Sequence, residues 1–334
     1  MSEPSVTNQE NNTFFSVRYI FSPLFVTLML AASPAGFAAD LVDMLERMSS
    51  VSQSRNYQGT FILRKSDQLS TLRVHHGMDE RGVWESLEAL SGEPRTVIRQ
   101  NNQVVSIFPE KKLLTVRHAE NGSSLHQKLP ENIKQLNQYY FFKRLDDDRI
   151  AGYKTLVLDL EPKDPYRYGY RYWLEKDSGM LLRCDLLDTR GDVVEQMMFT
   201  ELEYLEQAPE MAFTEMSRPG FTVKNLDDES PHAKDIAWEV TRLPDGFELI
   251  QSHYRLSASP PLLQLVYSDS LASVSVFIEK MDGAASHLEG PSARGALHAY
   301  GVQIGEYYIT VVGEVPAATV KQMAESTQQR QQDD

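Results

Sequence analysis

The stretch R-Y-G-Y-R-Y-W-L-E-K-D-S-G-M-L-L-R-C-D-L-L-D, residues 167–188, decides the fold. K-D-S-G at 176–179 suits a type I turn with Gly179 in the left-handed conformation. The stretch therefore predicts a β-hairpin in which Lys176 pairs with Met180, Tyr172 lies opposite Cys184 and Tyr170 lies opposite Leu186. Residues of one parity then share an apolar face, which comprises Tyr168, Tyr170, Tyr172, Leu174, Leu182, Cys184 and Leu186.

The opposite face of this hairpin is polar. Arg171 is expected to form a cross-strand ion pair with Asp185, and Trp173 a cation–π contact with Arg183. D-T-R-G at 188–191 predicts a second turn, after which the next strand brings Val194, Met198 and Leu202 to the apolar face. The arginines thus find partners within the sheet, which favours a meander over a surface that stacks nucleic-acid bases.

Other segments predict an α+β fold in which strands predominate. Helical spacing appears at 40–51 and 131–145, and Pro316 occupies a position typical of a helix start. Asn101-Asn102 suits a two-residue hairpin turn. The predicted strands are 56–64, 68–76, 82–87, 96–108 with its central turn, 153–160, a segment within 238–249, 262–267, 272–280 and 306–313.

The chain divides at a segment rich in Pro, Gly and acidic residues that lacks periodicity. We expect an N-terminal domain at 39–205, a linker at 206–235 and a smaller C-terminal α+β domain at 236–325. Residues 326–334 are expected to form a disordered tail.

The N-terminus indicates export. An apolar run at 19–32 is shorter than the ~20 residues of a membrane span and precedes small residues at Gly36 and Ala38. We predict a signal peptide at 1–38 and an exported protein; the alternative is an uncleaved anchor. The net charge of −14 argues against nucleic acid as a partner, and the single cysteine allows no intrachain disulfide.

No pattern in the sequence indicates catalysis, a cofactor or a metal. His75 and His76 point to opposite faces of a predicted strand, and Cys184 lies among apolar positions. Asp146–Asp148 is expected to be a solvated loop. A pair of Glu or Asp residues for glycoside hydrolysis stays open at this point, because the geometry of such a pair is not visible in a sequence.

The apolar face of the meander has two interpretations: it is an ordinary core, or it lines a cavity for an acyl chain or an extended apolar peptide. Periodicity does not distinguish them. The predicted pocket residues are Phe61, Tyr168, Tyr170, Tyr172, Leu182 and Met198.

Five segments in order resemble the RseB/MucB family of periplasmic sigma-E (AlgU) factor regulators over nearly the whole mature chain. R-C-D-L-L-D-T-R-G and R-L-P-D-G-F are the most specific of the motifs. The segments are R-V-H-H-G-M-D (73–79), R-Y-W-L-E-K to E-Q (171–196), W-E-V-T-R-L-P-D-G-F (238–247), L-V-Y-S-D-S-L-A-S-V-S-V-F (265–277) and I-T-V-V-G-E-V-P-A-A-T (309–319).

The resemblance implies an N-terminal domain like that of the lipoprotein carrier LolA, a curved antiparallel sheet around helices. It also implies that the protein is not an enzyme but a negative regulator of the envelope-stress response, which binds the periplasmic part of a membrane anti-sigma factor, RseA or MucA. Binding hinders the site-1 protease, and lipopolysaccharide or mislocalised lipoprotein releases the partner. Association with further copies of the chain is compatible with the sequence.

The rival hypothesis is a periplasmic carrier of lipid or lipoprotein of the LolA type, which has no evident need of residues 236–325. If anionic lipid headgroups bind, Arg64-Lys65 and Lys111-Lys112 are the candidate basic patches.

Overall fold

A computed structural model of the chain describes residues 44–48, 50–51, 54–80, 82–118, 133–209, 219–226, 237–255, 261–281 and 288–330. Strands dominate these residues and helices are few, so the class is α+β with β-sheet in excess. The predicted signal peptide lies outside the described residues. No helix within the described ranges is long and apolar enough to cross a bilayer.

The larger sheet, as described, has 12 strands and contains two antiparallel meanders, joined where the first strand of one pairs with the last strand of the other. The first meander contains β1 (Asn56–Lys65), β2 (Gln68–Asp79), β3 (Gly82–Ala89), β4 (Thr96–Gln100), β5 (Gln103–Phe108) and β6 (Leu113–His118). The second contains β7 (Tyr140–Ile150), β8 (Tyr153–Pro162), β9 (Gly169–Glu175), β10 (Leu181–Leu187) and β11 (Val193–Leu205). The predicted strands of this part are confirmed, as is the turn at Asn101, where φ is 51°.

The hairpin at 167–188 forms as predicted. Tyr172 lies opposite Cys184 and Tyr170 opposite Leu186, and Gly179 has a φ of 85°. The pairing shifts by one residue between Leu181 and Arg183, so the loop is closed by Glu175 and Met180 rather than by Lys176 and Met180.

The polar face of the hairpin differs from the prediction in one ion pair. The Arg183 guanidinium lies 4.0 Å from the centre of the Trp173 ring, as expected. Arg171 lies opposite Asp185 but pairs with Asp159 on β8, at 2.7 Å, because Arg183 already occupies the Asp185 carboxylate.

The predicted helix at 131–145 is wrong beyond residue 139. Helix α2 (Ile133–Tyr139) ends there, and β7 begins at Tyr140. The aromatic run Y-Y-F-F fits either structure, and pairing with β8 decides it. The carboxylates Asp146–Asp148 therefore lie in β7, at a bulge between Leu145 and Asp148, and not in a loop.

The segment predicted to be a linker contributes a strand. In the part of it that is described, β12 (Thr222–Asn225) pairs in parallel with β6 at the edge of the larger sheet. Phe221 packs against the small core cluster of Ile98, Val105, Ile107 and Leu114.

The remaining described elements form a smaller sheet with its helix and a short strand pair. They are β13 (Trp238–Val240), β14 (Glu248–Arg255), β15 (Leu262–Ser268), β16 (Ser273–Lys280), β17 (Gly290–Arg294), β18 (Leu297–Ile304), β19 (Tyr307–Gly313), α3 (Ala317–Glu325) and β20 (Thr327–Gln329). The smaller sheet has the strand order β14-β15-β16-β19-β18-β17, which confirms the predicted hairpin at 262–280 and the predicted strand at 306–313. The prediction of a disordered tail is wrong in part, because β20 pairs with β13.

Candidate functional site: the tyrosine face of the larger sheet

Five of the six predicted pocket residues lie together in the buried core of the larger sheet. We call this surface the tyrosine face: Phe61, Tyr168, Tyr170, Tyr172 and Leu182, each at most 5% exposed. Leu45 and Met48 of helix α1 (helical residues 44–48 and 50–51) and Leu136 of α2 belong to the same cluster. In this state the face is therefore packed against both helices.

The sixth residue, Met198, lies on the opposite face. It pairs with Arg183 on β10, whereas Met197 pairs with Cys184 and shares the tyrosine face. A register shift between Leu186 and Leu187 causes this difference, because a slip of one residue exchanges the faces of a strand. Met197 is the residue that the sequence prediction missed, and an unrecognised bulge is the reason.

The tyrosines form a continuous layer of rings. Tyr170 contacts Tyr172, with ring centres 5.9 Å apart, and Tyr140, with ring centres 6.3 Å apart. Burial raises the pKa of Tyr170 and Tyr172 well above the ordinary value of 10.0, with smaller contributions from neighbouring groups. These phenols are therefore neutral at physiological pH, and the face offers an apolar surface with a few weakly polar hydroxyl groups.

Among the residues that the structure describes, the buried hydroxyl of Tyr172 has no hydrogen-bond partner. Such a group costs free energy in an apolar core, about 1–3 kcal/mol in typical cases. A guest or a water molecule that accepts from or donates to this hydroxyl would recover part of that cost. A guest that forms a hydrogen bond with the Tyr172 hydroxyl would therefore bind the tyrosine face more favourably.

The tyrosine face also touches the smaller sheet. The hydroxyl of Tyr168 lies 3.1 Å from Nδ1 of His298 and 3.4 Å from the carbonyl oxygen of Ala296. Burial, followed by the charges of Asp188 and Glu195, raises the pKa of Tyr168 to about 12. Arg167, which precedes Tyr168 in the chain, pairs with the buried carboxylate of Asp269 in the turn between β15 and β16.

The outer face of β7–β9 carries an open indentation of about 600 Å³, formed at the bulge in β7. Its charged groups are largely paired with one another: Asp147 with Arg144 and Lys176, and Arg171 with Asp159. The indole of Trp173 donates to Asp148 at 2.9 Å. The charged side chains that line the indentation are thus held in place by one another.

The two candidate basic patches are partly committed to ion pairs. Lys65 pairs with Glu314 at 2.7 Å and with Glu195 at 3.1 Å. Burial alone would lower the pKa of Lys65, but Glu314 and Glu195 outweigh it and the pKa is raised. Lys111 pairs with Glu93 at 2.8 Å. Among the residues that the structure describes, no group of His, Cys, Asp and Glu is arranged to hold a metal ion.

Comparison with known proteins assigns the chain to a family. The models of the MucB/RseB N-terminal and C-terminal domains match residues 40–217 and 232–328. The sigma factor AlgU regulatory protein MucB of Pseudomonas aeruginosa is 30% identical over 314 residues, which cover 88% of this chain and 93% of the relative. The sigma-E factor regulatory protein RseB of Haemophilus influenzae is 24% identical over 310 residues, which cover 93% and 98%.

A solved structure agrees over both sheets. The complex of Pseudomonas aeruginosa MucA and MucB contains a chain that is 28% identical and superposes with a TM-score of 0.69. The match covers 87% of this chain and 99% of the solved one. The resemblance seen in the motifs is thus confirmed, and this chain belongs to the MucB/RseB family.

Proposed function

We propose that this protein is a negative regulator of an envelope-stress sigma factor. It acts in the periplasm by binding the periplasmic part of a membrane anti-sigma factor of the RseA/MucA kind and shielding it from the site-1 protease. The observation that carries this proposal is the MucA/MucB complex, whose chain matches 87% of this one. Both matched relatives bear the names of sigma factor regulatory proteins.

Release of the partner is assigned to the tyrosine face. Acyl chains of lipopolysaccharide or of a mislocalised lipoprotein enter between this face and helices α1 and α2, which bury it at present. The larger sheet then has the role of a LolA-type lipid-binding domain at 39–205, and the domain at 236–325 contributes to the partner site. A ligand shifts the equilibrium because it binds the partner-free state more tightly.

The test is cleavage of the purified periplasmic segment of the anti-sigma factor by its activated site-1 protease, with and without the mature protein. We expect the protein to protect the segment, and lipopolysaccharide or an acylated peptide to reverse this protection. Absence of protection, with lipid still bound, would favour the alternative function of a lipid or lipoprotein carrier.

A further inference from the structure

Three distant segments of the chain meet at the guanidinium of Arg167. Arg167 lies in the loop between β8 and β9 of the larger sheet. It donates from Nη1 to the Asp269 carboxylate at 2.8 Å and from Nη2 to the carbonyl oxygen of Asp245 at 2.5 Å. We call the part of the molecule that contains the larger sheet the larger half, and the part that contains the smaller sheet the smaller half. Asp269 lies in the turn between β15 and β16, and Asp245 lies in the motif R-L-P-D-G-F. Both residues belong to the smaller half. Two motifs that distinguish the sequence thus converge on one arginine.

The Arg167–Asp269 pair is fully enclosed, since both side chains are 0% exposed. Asp164 supplies a second carboxylate, 3.0 Å from Nε of Arg167. The guanidinium lies over the rings of Tyr139, at 4.7 Å, and Phe247, at 5.5 Å. Rings from both halves of the molecule therefore shield the charge from water.

The Asp269 carboxylate is also fixed by hydrogen bonds within its own turn. Its Oδ1 accepts from the backbone N–H groups of Leu271, at 3.0 Å, and Ala272, at 2.7 Å. On the facing turn, a Cβ at Gly246 (φ +82°) would lie 2.4 Å from Cζ of Tyr139, so glycine permits the close approach. Two turns of the smaller half, one at Asp269 and one at Gly246, thus fit closely against residues of the larger half.

Energetically, such a pair fixes an arrangement more than it adds stability. The desolvation of two buried charges roughly offsets their attraction. Without Asp269, Arg167 would keep the partly exposed Asp164 as its counter-charge among the described residues, at 3.0 Å. Without Arg167, the enclosed Asp269 carboxylate would keep the backbone N–H groups of Leu271 and Ala272 as its donors. In either case separation of the two halves lets water reach the remaining charge and is therefore favoured. The equilibrium between joined and separated halves therefore depends steeply on whether both charges are present.

The pair is also in contact with the tyrosine face. The Arg167 guanidinium lies 5.8 Å from the ring centre of Tyr140, and Tyr140 packs on Tyr170. Tyr168 follows Arg167 directly in the chain and touches His298 of the smaller sheet. A guest that displaces these rings must disturb the position of Arg167.

We propose that Arg167 and Asp269 form a latch between the two halves of the molecule, and that a guest on the tyrosine face opens it. The coupling to the guest rests on the function proposed above; the latch itself does not. Opening of the latch is the change of state that separates the protein with bound partner from the protein that has released it.

The test measures closure by disulfide formation between Ser66→Cys and Gly295→Cys in a Cys184→Ala background. A Cβ at Gly295 (φ +62°) would lie 3.0 Å from Cβ of Ser66, closer than the ~3.5–4.5 Å of an unstrained disulfide, so the backbone must shift slightly for the bond to form. The two thiols come within reach only while the halves are joined, and every variant is compared in this same double-cysteine background. Asp269→Asn keeps the turn-capping oxygen but removes the charge, and we expect it to slow cross-linking by about tenfold or more. Arg167→Met/Asp269→Asn, which carries neither charge, is expected to restore the rate.

Arg73→Met/Glu88→Gln is the matched control, because it removes an ion pair on β2 and β3 whose side chains are both 46% exposed. It should leave the cross-linking rate unchanged. If Asp269→Asn does not fold, Arg167→Lys serves instead: it keeps the charge, loses the planar fork, and should slow cross-linking by a smaller factor. Wild-type rates in the single variants, or no recovery in the double variant, would overturn the latch.

The coupling is tested with purified lipopolysaccharide and, separately, with a synthetic triacylated lipopeptide. Either probe should slow cross-linking of the protein with its native latch. Once cross-linked, the protein should still protect the anti-sigma segment but no longer release it on addition of lipid. Cross-linking that ignores both probes would overturn the coupling. Loss of protection by the native protein would overturn the proposed function and leave the latch result standing.

Discussion

Nδ1 of His298 lies 2.9 Å from the carbonyl oxygen of Val315 and 3.1 Å from the hydroxyl of Tyr168. Because a carbonyl oxygen only accepts, Nδ1 carries a proton directed at Val315, and the Tyr168 hydroxyl is then free to donate to the carbonyl of Ala296. This hydroxyl ties the tyrosine face to the smaller sheet. Tyr168→Phe should lower the free energy of unfolding by about 1 kcal/mol.

The measurement for Tyr168→Phe is urea unfolding followed by near-ultraviolet circular dichroism. The variant keeps the ring and its burial, so the urea dependence should keep its slope and only the midpoint should shift. An unchanged midpoint would show that the hydroxyl contributes nothing to joining the two sheets.

Arg183 should contribute more to stability than Arg171, although both lie on the same face. Arg183 pairs with Asp185, whose side chain is 0% exposed, and covers the Trp173 ring. Arg183→Met leaves that carboxylate buried, with Gln196 as its side-chain donor among the described residues, and should cost about 3 kcal/mol. Arg171→Met, the control, removes a partner from Asp159, whose side chain is 19% exposed and not fully buried like that of Asp185, and should cost about 1 kcal/mol or less. Equal losses by thermal unfolding would contradict this difference.

Met197 and Met198 form a matched pair for the lipid site. Met197 shares the tyrosine face with Cys184, and Met198 lies opposite Arg183. If acyl chains enter at the tyrosine face, Met197→Ala should weaken binding of a fluorescent fatty acid several-fold, while Met198→Ala should change it little. The reverse order would place the guest on the outer face of the sheet.

Gly59 permits a close contact between β1 and β11. A Cβ at this position would lie 2.5 Å from the carbonyl oxygen of Glu201 and 2.9 Å from Cε1 of Phe199. Gly59→Val should therefore destabilise the protein by about 1–3 kcal/mol through overpacking, despite the higher β propensity of valine. Thr60→Val, one residue along the strand, is the control and should stay within about 0.5 kcal/mol by chemical denaturation.

Asp148 should contribute to the acid sensitivity of the fold. The backbone N–H of Arg149 and then the Trp173 indole hold the pKa of this carboxyl below its ordinary value of 3.8. A pKa that is lower in the folded state stabilises the protein above pH 3.8, and this contribution is lost as the pH falls through the folded pKa. Asp148→Asn should show a shallower loss of stability below that pH in urea titrations. Parallel acid profiles of the two proteins would exclude this role.

Local pattern was sufficient to predict the hairpin. The turn at 176–179 and the alternation around Tyr172 and Cys184 lie within one short segment, so propensity and pairing agree. The prediction failed where a choice depended on distant partners. Residues after Tyr139 became a strand because β8 pairs with them, and Met198 changed faces through a single bulge.

The contacts of Arg167 with the smaller half could not be predicted from the sequence. Arg167 and Asp269 are 102 residues apart, and neither residue type marks a buried pair on its own. The alternation of basic and aromatic residues suggested partners within the sheet, which holds for Arg171 and Arg183. The motif R-L-P-D-G-F is specific to the family, but the contact of its Gly246 with Tyr139 is visible only in the folded structure.

The pairing of β1 with β11 has a consequence for folding. Gln58 and Glu203, which are hydrogen-bonded across these strands, are 145 residues apart in the chain. β1 can pair with β2 as soon as both are synthesised, but its other edge waits for nearly the whole larger sheet. Such non-local topologies fold slowly, and an unpaired strand edge is a template for aggregation. The chain is therefore most prone to aggregate before the native state has formed. A chaperone that covers the edge of β1 at that stage would have the greatest effect on the yield of folded protein.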